Sequence, residues 1–258
     1  MLDLSYSVAG FVVGAIVGLT GVGGGSLMTP LLVLGFGVPP VTAVGTDLLY
    51  AGITKAAGTL SHGLEDHVDW RVTGLLAAGS VPAALLAMGL LAWLPPAGPQ
   101  SRAVVSASLG AMLVLTAIAL FFRRRLLAWA ERRSSASPPR NRTAATVVLG
   151  AFIGAAVTLS SVGAGAIGVT VLMLIFPTMA MTRIVGTDIA HAVPITLVAG
   201  LGHAVLGHVD TAMLLSLLLG SLPGIALGAQ LCAKLPETLL RRSVALVMLF
   251  AGGKLIAA

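Results

Sequence analysis

Residues 4–46 carry no charged side chain. As one straight helix those 43 residues would run ~65 Å at about 1.5 Å per residue, twice the ~30 Å of a bilayer's hydrocarbon core. The run must therefore break or turn, and Gly21–Gly25 and Gly35–Pro40 offer the places. Apolar segments follow at 39–62, interrupted by Asp47 and Lys55, and at 72–94 and 103–122. A polar stretch at 123–142 contains Ser134-Ser135-Ala136-Ser137-Pro138-Pro139. A second uncharged run covers 143–182, followed by apolar segments at 184–207, 211–233 and 239–257. The pattern predicts a first membrane repeat over 1–122, a basic linker over 123–142 and a second repeat over 143–258.

The second half repeats the first. At a shift of 140, Gly10, Gly14, Gly23 and Gly25 fall on Gly150, Gly154, Gly163 and Gly165. At a shift of 141, Val44-Gly45-Thr46-Asp47 falls on Val185-Gly186-Thr187-Asp188, and His67-Val68-Asp69 on His208-Val209-Asp210. Gly79-Ser80 and Pro82 likewise meet Gly220-Ser221 and Pro223. Polar matches in order at one shift mark a true duplication rather than chance likeness between apolar helices.

Loop charge bears on whether the halves are parallel or inverted. With Lys55 set aside, a re-entrant first hairpin in each half leaves 12 basic residues on the linker's side and 2 opposite. Four full crossings per half leave 9 and 5. The expected fold is thus an all-α polytopic membrane protein of two inverted repeats, each a broken or re-entrant first helix plus three transmembrane helices.

Composition agrees. Hydrophobic residues make up 57% and charged residues 9%, and mean hydropathy is +1.02, which excludes a soluble globular domain. The net charge of +6 is not a nucleic-acid footprint. Seven arginines (123, 124, 125, 132, 133, 140 and 142) sit in the linker without aromatic interleaving, which marks the cytoplasmic side of an inner membrane. The lone Cys232 forms no internal disulfide or cysteine relay. Met1-Leu2-Asp3-Leu4 lacks the basic start of a signal peptide, so the first run is expected to stay.

Interrupted helices in duplicated halves are a transporter pattern, because broken helices present N–H groups and positive dipole ends to anions. Gly23-Gly24-Gly25-Ser26 is the candidate site in the first half, and Ser161, Gly163 and Gly165 are its partner in the second. Neither cluster is followed by the Lys-Ser/Thr of a phosphate loop. Gly10-Gly14-Gly18 and Gly220-Gly224-Gly228 read as helix-packing stripes. Asp47 and Asp188 are expensive in mid-membrane and suit proton coupling or cation binding, or else cap a helix start. Lys55 supplies positive charge to an anion, or snorkels, or pairs with Asp47; His191 lies on the pathway or packs as a neutral ring. His62, His67, Glu65 and Asp66, with His203 and His208, raise a metal reading, but they straddle interhelical loops where Asp69 and Asp210 suit N-caps. No metal site, cofactor or catalytic constellation is expected, and the chain is not read as an enzyme.

At these residues the chain resembles the TauE/SafE family of sulfite and sulfonate exporters. The resemblance rests on Gly18-Leu19-Thr20-Gly21-Val22-Gly23-Gly24-Gly25-Ser26 with Pro30, on Val44-Gly45-Thr46, and on Gly63 with Val68-Asp69-Trp70. A weaker copy stands at Gly163–Gly165, Val185-Gly186-Thr187 and Gly207-His208-Val209-Asp210. The resemblance implies an inner-membrane permease for sulfite or organosulfonates, and it adds Thr46 and Thr187 to the expected substrate-binding residues. Asp47 and Asp188 depart from the small polar residue the family commonly carries there. The expected partners are a small anionic solute, membrane lipid and a coupling proton; the alternative is a cation or divalent-metal permease using Asp47, Asp188, His62 and His203. The sequence leaves monomer and homodimer open.

Overall fold

The computed structural model describes residues 3–20, 25–64, 67–94, 98–134, 141–163, 165–231 and 237–257. Ten helices cover nearly all of them. The first half holds α1 (Leu4–Thr20), α2 (Gly25–Phe36), α3 (Pro40–Leu64), α4 (Trp70–Trp93) and α5 (Pro99–Ser134). The second holds α6 (Arg142–Ser160), α7 (Ala166–Ile175), α8 (Met181–Val205), α9 (Thr211–Leu231) and α10 (Glu237–Ala257). Among the described residues, five helical stretches are long and apolar enough to span a bilayer: 70–93, 99–122, 142–160, 181–205 and 211–228.

Each uncharged run does break. The first is interrupted after Phe36, with residues 21–24 outside the described residues, and the second between Ser160 and Ala166. Asp69 caps α4 by accepting from the Val72 N–H at 3.1 Å, and Asp210 accepts from the Met213 N–H at the start of α9 at 3.0 Å. The linker differs from expectation in part. Helix α5 continues through the arginines to Ser134, because Arg, Leu, Ala and Glu all favour a helix and nothing before Ser134 stops it.

The halves interlock. Helix α1 packs along α9, α6 along α4, α3 against α8 and α5 against α10. The glycine stripes give the directions. A Cβ at Gly10 or Gly14 would overlap Leu217 or Ser221 backbone, and one at Gly220, Gly224 or Gly228 would overlap Ser7, Phe11 or Ala15 backbone. Position numbers rise together, so α1 and α9 run parallel. Gly79 against Val147 and Gly150 and Gly154 against Leu76 and Ser80 make α4 and α6 parallel too. Gly52 against Leu197 and Gly200 against Leu49 make α3 and α8 antiparallel. Gly110 faces Gly252 and Ile256, while Gly252 faces Gly110 and Val114, so α5 and α10 are antiparallel. Without a Cβ in the way, backbones approach closely, which is how helices associate where lipid removes the hydrophobic drive. The outer face is apolar: Leu86, Trp93, Val148 and Phe250 are exposed, as a lipid-facing surface requires.

Candidate functional site

Asp47 lies in the second turn of α3 with no exposed surface. Its Oδ2 accepts from the Thr29 hydroxyl of α2 and, at 2.8 Å, from the Ser161 hydroxyl of the second half; Oδ1 has no hydrogen-bond partner. Ser161 can reach because it terminates α6 in the left-handed conformation, with φ 57°. Gly163 and Gly165 follow at φ 125° and 131°, where a side chain is strained. The break thus turns one hydroxyl out of its helix and across the repeat interface onto a carboxylate.

Asp188, the repeat equivalent of Asp47, lies in α8 at 2% exposure, and its Oδ1 also has no partner. It lies against the Cα of Gly168 in α7, where a Cβ would overlap Oδ1. Lys55 of α3 is the basic side chain near both carboxylates. His191 of α8 is fully buried, with Nε2 2.9 Å from the Ser80 hydroxyl of α4. Tyr50, its repeat equivalent, lies beside Ser221 of α9. Both pairs tie one half's α3 or α8 to the other half's α4 or α9. Thr29, Ser80, Tyr50 and Ser221 are absent from the sequence-based site. The shift of 141 carries the signal, since it aligns Thr29 with Thr170 as well as Ser80 with Ser221.

The Thr46 and Thr187 hydroxyls each hold a loop of the opposite half. The Thr187 hydroxyl accepts from the Asp69 N–H at 2.9 Å, and the Thr46 hydroxyl accepts from the Asp210 N–H at 3.0 Å. Gly45 and Gly186 let the His208 and His67 carbonyls come close at the same places. The Val-Gly-Thr and His-Val-Asp motifs therefore dock on each other across the repeats. Thr46→Val and Thr187→Val keep the shape and delete the acceptor. Each is expected to cost about 1–3 kcal/mol, the usual consequence of stranding a partly buried donor, with the two losses similar. Chemical denaturation in detergent measures this; a change under a few tenths of a kcal/mol would remove the docking role.

Gly23 and Gly24 lie outside the described residues, as do Glu65, Asp66 and Cys232. Gly25 and Ser26 open α2 and His62 lies on α3, their side chains outside the description. His203 Nε2 lies 3.0 Å from the Thr158 carbonyl oxygen, and the His203 ring lies 5.5 Å from that of His208. Among the described residues no three His, Cys, Asp or Glu side chains converge as a metal group would. Arg183 of α8 lies 3.8 Å from Asp69, a partly exposed pair across the halves.

Burial holds the His208 imidazole, in the loop before α9, below the ordinary histidine range. The unfolded chain then takes up a proton that the folded one refuses. The contribution to stability is complete above the free histidine value of about 6.5 and is lost as pH falls below it. His208→Phe should flatten the decline in melting temperature between about pH 7 and pH 5; an unchanged slope would show that His208 titrates freely.

The model of the family described as Sulfite exporter TauE/SafE matches residues 6–255. The probable membrane transporter protein YjnA of Bacillus subtilis (strain 168) is 38% identical over 259 residues, covering 99% of this chain and 100% of that protein. The probable membrane transporter protein YdhB of the same organism is 27% identical over 248 residues, covering 94% and 95%. A probable membrane transporter protein of Xylella fastidiosa (strain 9a5c) is 27% identical over 120 residues, covering 46% and 44%. No solved structure matches the chain significantly. A family match over nearly the whole length, on an all-helical chain with several membrane-length helices, makes this protein a member of the TauE/SafE sulfite exporter family, a multi-pass membrane transporter and not an enzyme.

Proposed function

We propose that the protein carries small sulfur-containing anions such as sulfite or organosulfonates across the inner membrane, at the interface of two inverted repeats. The observation that carries the reading is the break after α6, where Ser161 donates across the repeat interface to an anionic group. A hydroxyl donor beside glycine-opened backbone is the chemistry an oxyanion needs. Candidate solute contacts are Ser161, Gly163 and Gly165, with Gly23, Gly24, Gly25 and Ser26 in the first half and Lys55 as the nearby cation.

The packing directions support inversion. Short loops make α3, α4 and α5 alternate across the membrane, and likewise α8, α9 and α10. With α1 parallel to α9, and α3 antiparallel to α8, α1 and α3 point the same way, so α2 must bring the chain back. The same reasoning with α6 parallel to α4 makes α7 the return in the second half, with opposite sense. At roughly 18 and 15 Å, α2 and α7 fall short of a ~30 Å crossing and suit the returning arms of dipping hairpins. The linker arginines would then face the cytoplasm. Accessibility labelling should place both ends of residues 5–35 on one side; opposite sides would refute the hairpin.

Flux of sulfite and of an organosulfonate in proteoliposomes tests the function. Ser161→Leu should abolish flux while the protein still elutes as a folded species. Wild-type flux in that variant would remove the site.

A second reading, a cation or divalent-metal permease, draws on the unpartnered oxygens of buried Asp47 and Asp188. A basic side chain, Lys55, already stands near both carboxylates, which disfavours a further cation there. Divalent-metal binding lost in an Asp47→Asn/Asp188→Asn double variant would favour this reading.

A further inference from the structure

The two hydroxyls that converge on Asp47 come from different halves: Thr29 from the short helix α2, Ser161 from the break after α6. Both donate to the same oxygen, and the carboxylate is sealed from solvent. A hydroxyl has one proton to donate. While Asp47 holds both, neither serves a solute.

We propose that Asp47 is a resident competitor for the transported anion: ionised, its carboxylate occupies the Thr29 and Ser161 donors, and protonated, it releases them, so that an oxyanion enters the site together with one proton. This rests on the anion-site reading above. The proton goes to the Asp47 carboxylate, and the Thr29 and Ser161 O–H groups turn from that oxygen to the solute's. The charge sum favours the exchange, because the site keeps one net negative charge beside Lys55 in either state. A second anion beside an ionised Asp47 would face its repulsion without those donors.

Among the described residues, few titratable groups face Asp47. Lys55 and Tyr50 share its helix and feel its charge. Asp188 and His191 reach the cluster from α8 through Lys55, and His203 of α8 packs against Gly45. Helices α2 and α9 carry no titratable side chain. Those of α5 and α6 lie toward the helix ends. Asp188 differs in its surroundings: a glycine in α7 lies against the oxygen that has no partner. The proposal therefore assigns the competition to Asp47.

The test is methanesulfonate binding to the purified full chain, by calorimetry in two buffers of different ionisation enthalpy. Methanesulfonate keeps its charge between pH 5.5 and 8, which sulfite does not. Affinity should fall about tenfold for each pH unit over which Asp47 is ionised, with one proton taken up per anion in that range. Asp47→Asn, which imitates the protonated acid, should abolish both the slope and the uptake; Ser161→Ala should weaken binding at pH 5.5 and at pH 8. A pH-independent affinity in the wild type, or a slope that survives Asp47→Asn, overturns the competition and leaves the anion site standing. If the Asn variant does not fold, the wild-type slope and proton count decide alone. If neither methanesulfonate, 2-hydroxyethanesulfonate nor sulfite binds to wild type at either pH, the anion-site reading and this proposal fall together.

Discussion

Gly220→Leu will leave α9 unable to seat on α1, and the purified protein will aggregate instead of eluting as a folded species. Gly79→Leu will do the same to α4 and α6. The obstacle in each case is backbone: a Cβ at Gly220 overlaps the Ser7 carbonyl, and one at Gly79 overlaps that of Val147. Ordinary core overpacking costs about 1–3 kcal/mol because side chains can yield. Here a whole helix must move, and its neighbours in the stripe move with it. The loss is comparable to the about 5–15 kcal/mol that keeps a typical domain folded. Gly74→Ala and Gly89→Ala are the controls. Nothing lies within 4 Å of a Cβ at either position. Alanine's helix preference, roughly 1 kcal/mol over glycine, should leave the melting temperature unchanged or higher. Equal melting of Gly220→Leu and Gly89→Ala would overturn the packing.

Gly165→Ala is expected to lower stability by about 1–3 kcal/mol and to cut flux by at least about tenfold. Gly165 precedes α7 at φ 131° and ψ −93°, a conformation a side chain resists. The strain is relieved by remodelling the turn, and that moves Ser161 away from Asp47 at the neighbouring end of α6. Gly163→Ala adds a collision with the Met112 methyl, 2.9 Å away. Gly37 offers the comparison: its φ is also positive, at 67°, but space around it is open and it sits far from the break in sequence. Gly37→Ala should cost stability without costing flux. A Gly165→Ala protein with wild-type melting and wild-type flux would show that the break tolerates another shape.

The long architecture was legible because lipid makes it so. Uncharged runs, the linker arginines and the twofold recurrence of polar residues are large signals, and, apart from the far end of α5, the helices begin and end within a few residues of the apolar segments. The inner wiring was harder to read. Gly45-Thr46 and Gly186-Thr187 entered the expected site through the family resemblance alone. In space the same pair receives the other half's loop, and spacing along one chain does not say which backbone arrives. The capping alternative for Asp47 failed to anticipate its partners, Thr29 and Ser161, for the same reason. Thr29 sits in an apolar helix without a motif, and only its alignment with Thr170 sets it apart. The readings of Asp69 and Asp210 as caps needed only local geometry, and local geometry is what sequence carries best.

The parallel seating of α1 on α9 has a consequence for biosynthesis. Helix α9 follows α1 by roughly 190 residues, so at about 5–20 residues per second a newly made α1 waits about 10–40 s for its mate to leave the ribosome. During that delay its bare glycine stripe has no permanent neighbour, while the α6 partner of α4 arrives much sooner, with α8 to follow. A translational pause or a premature stop within the second half therefore strands the earliest-made helix, and the quality-control machinery of the membrane meets the protein first at its amino-terminal end.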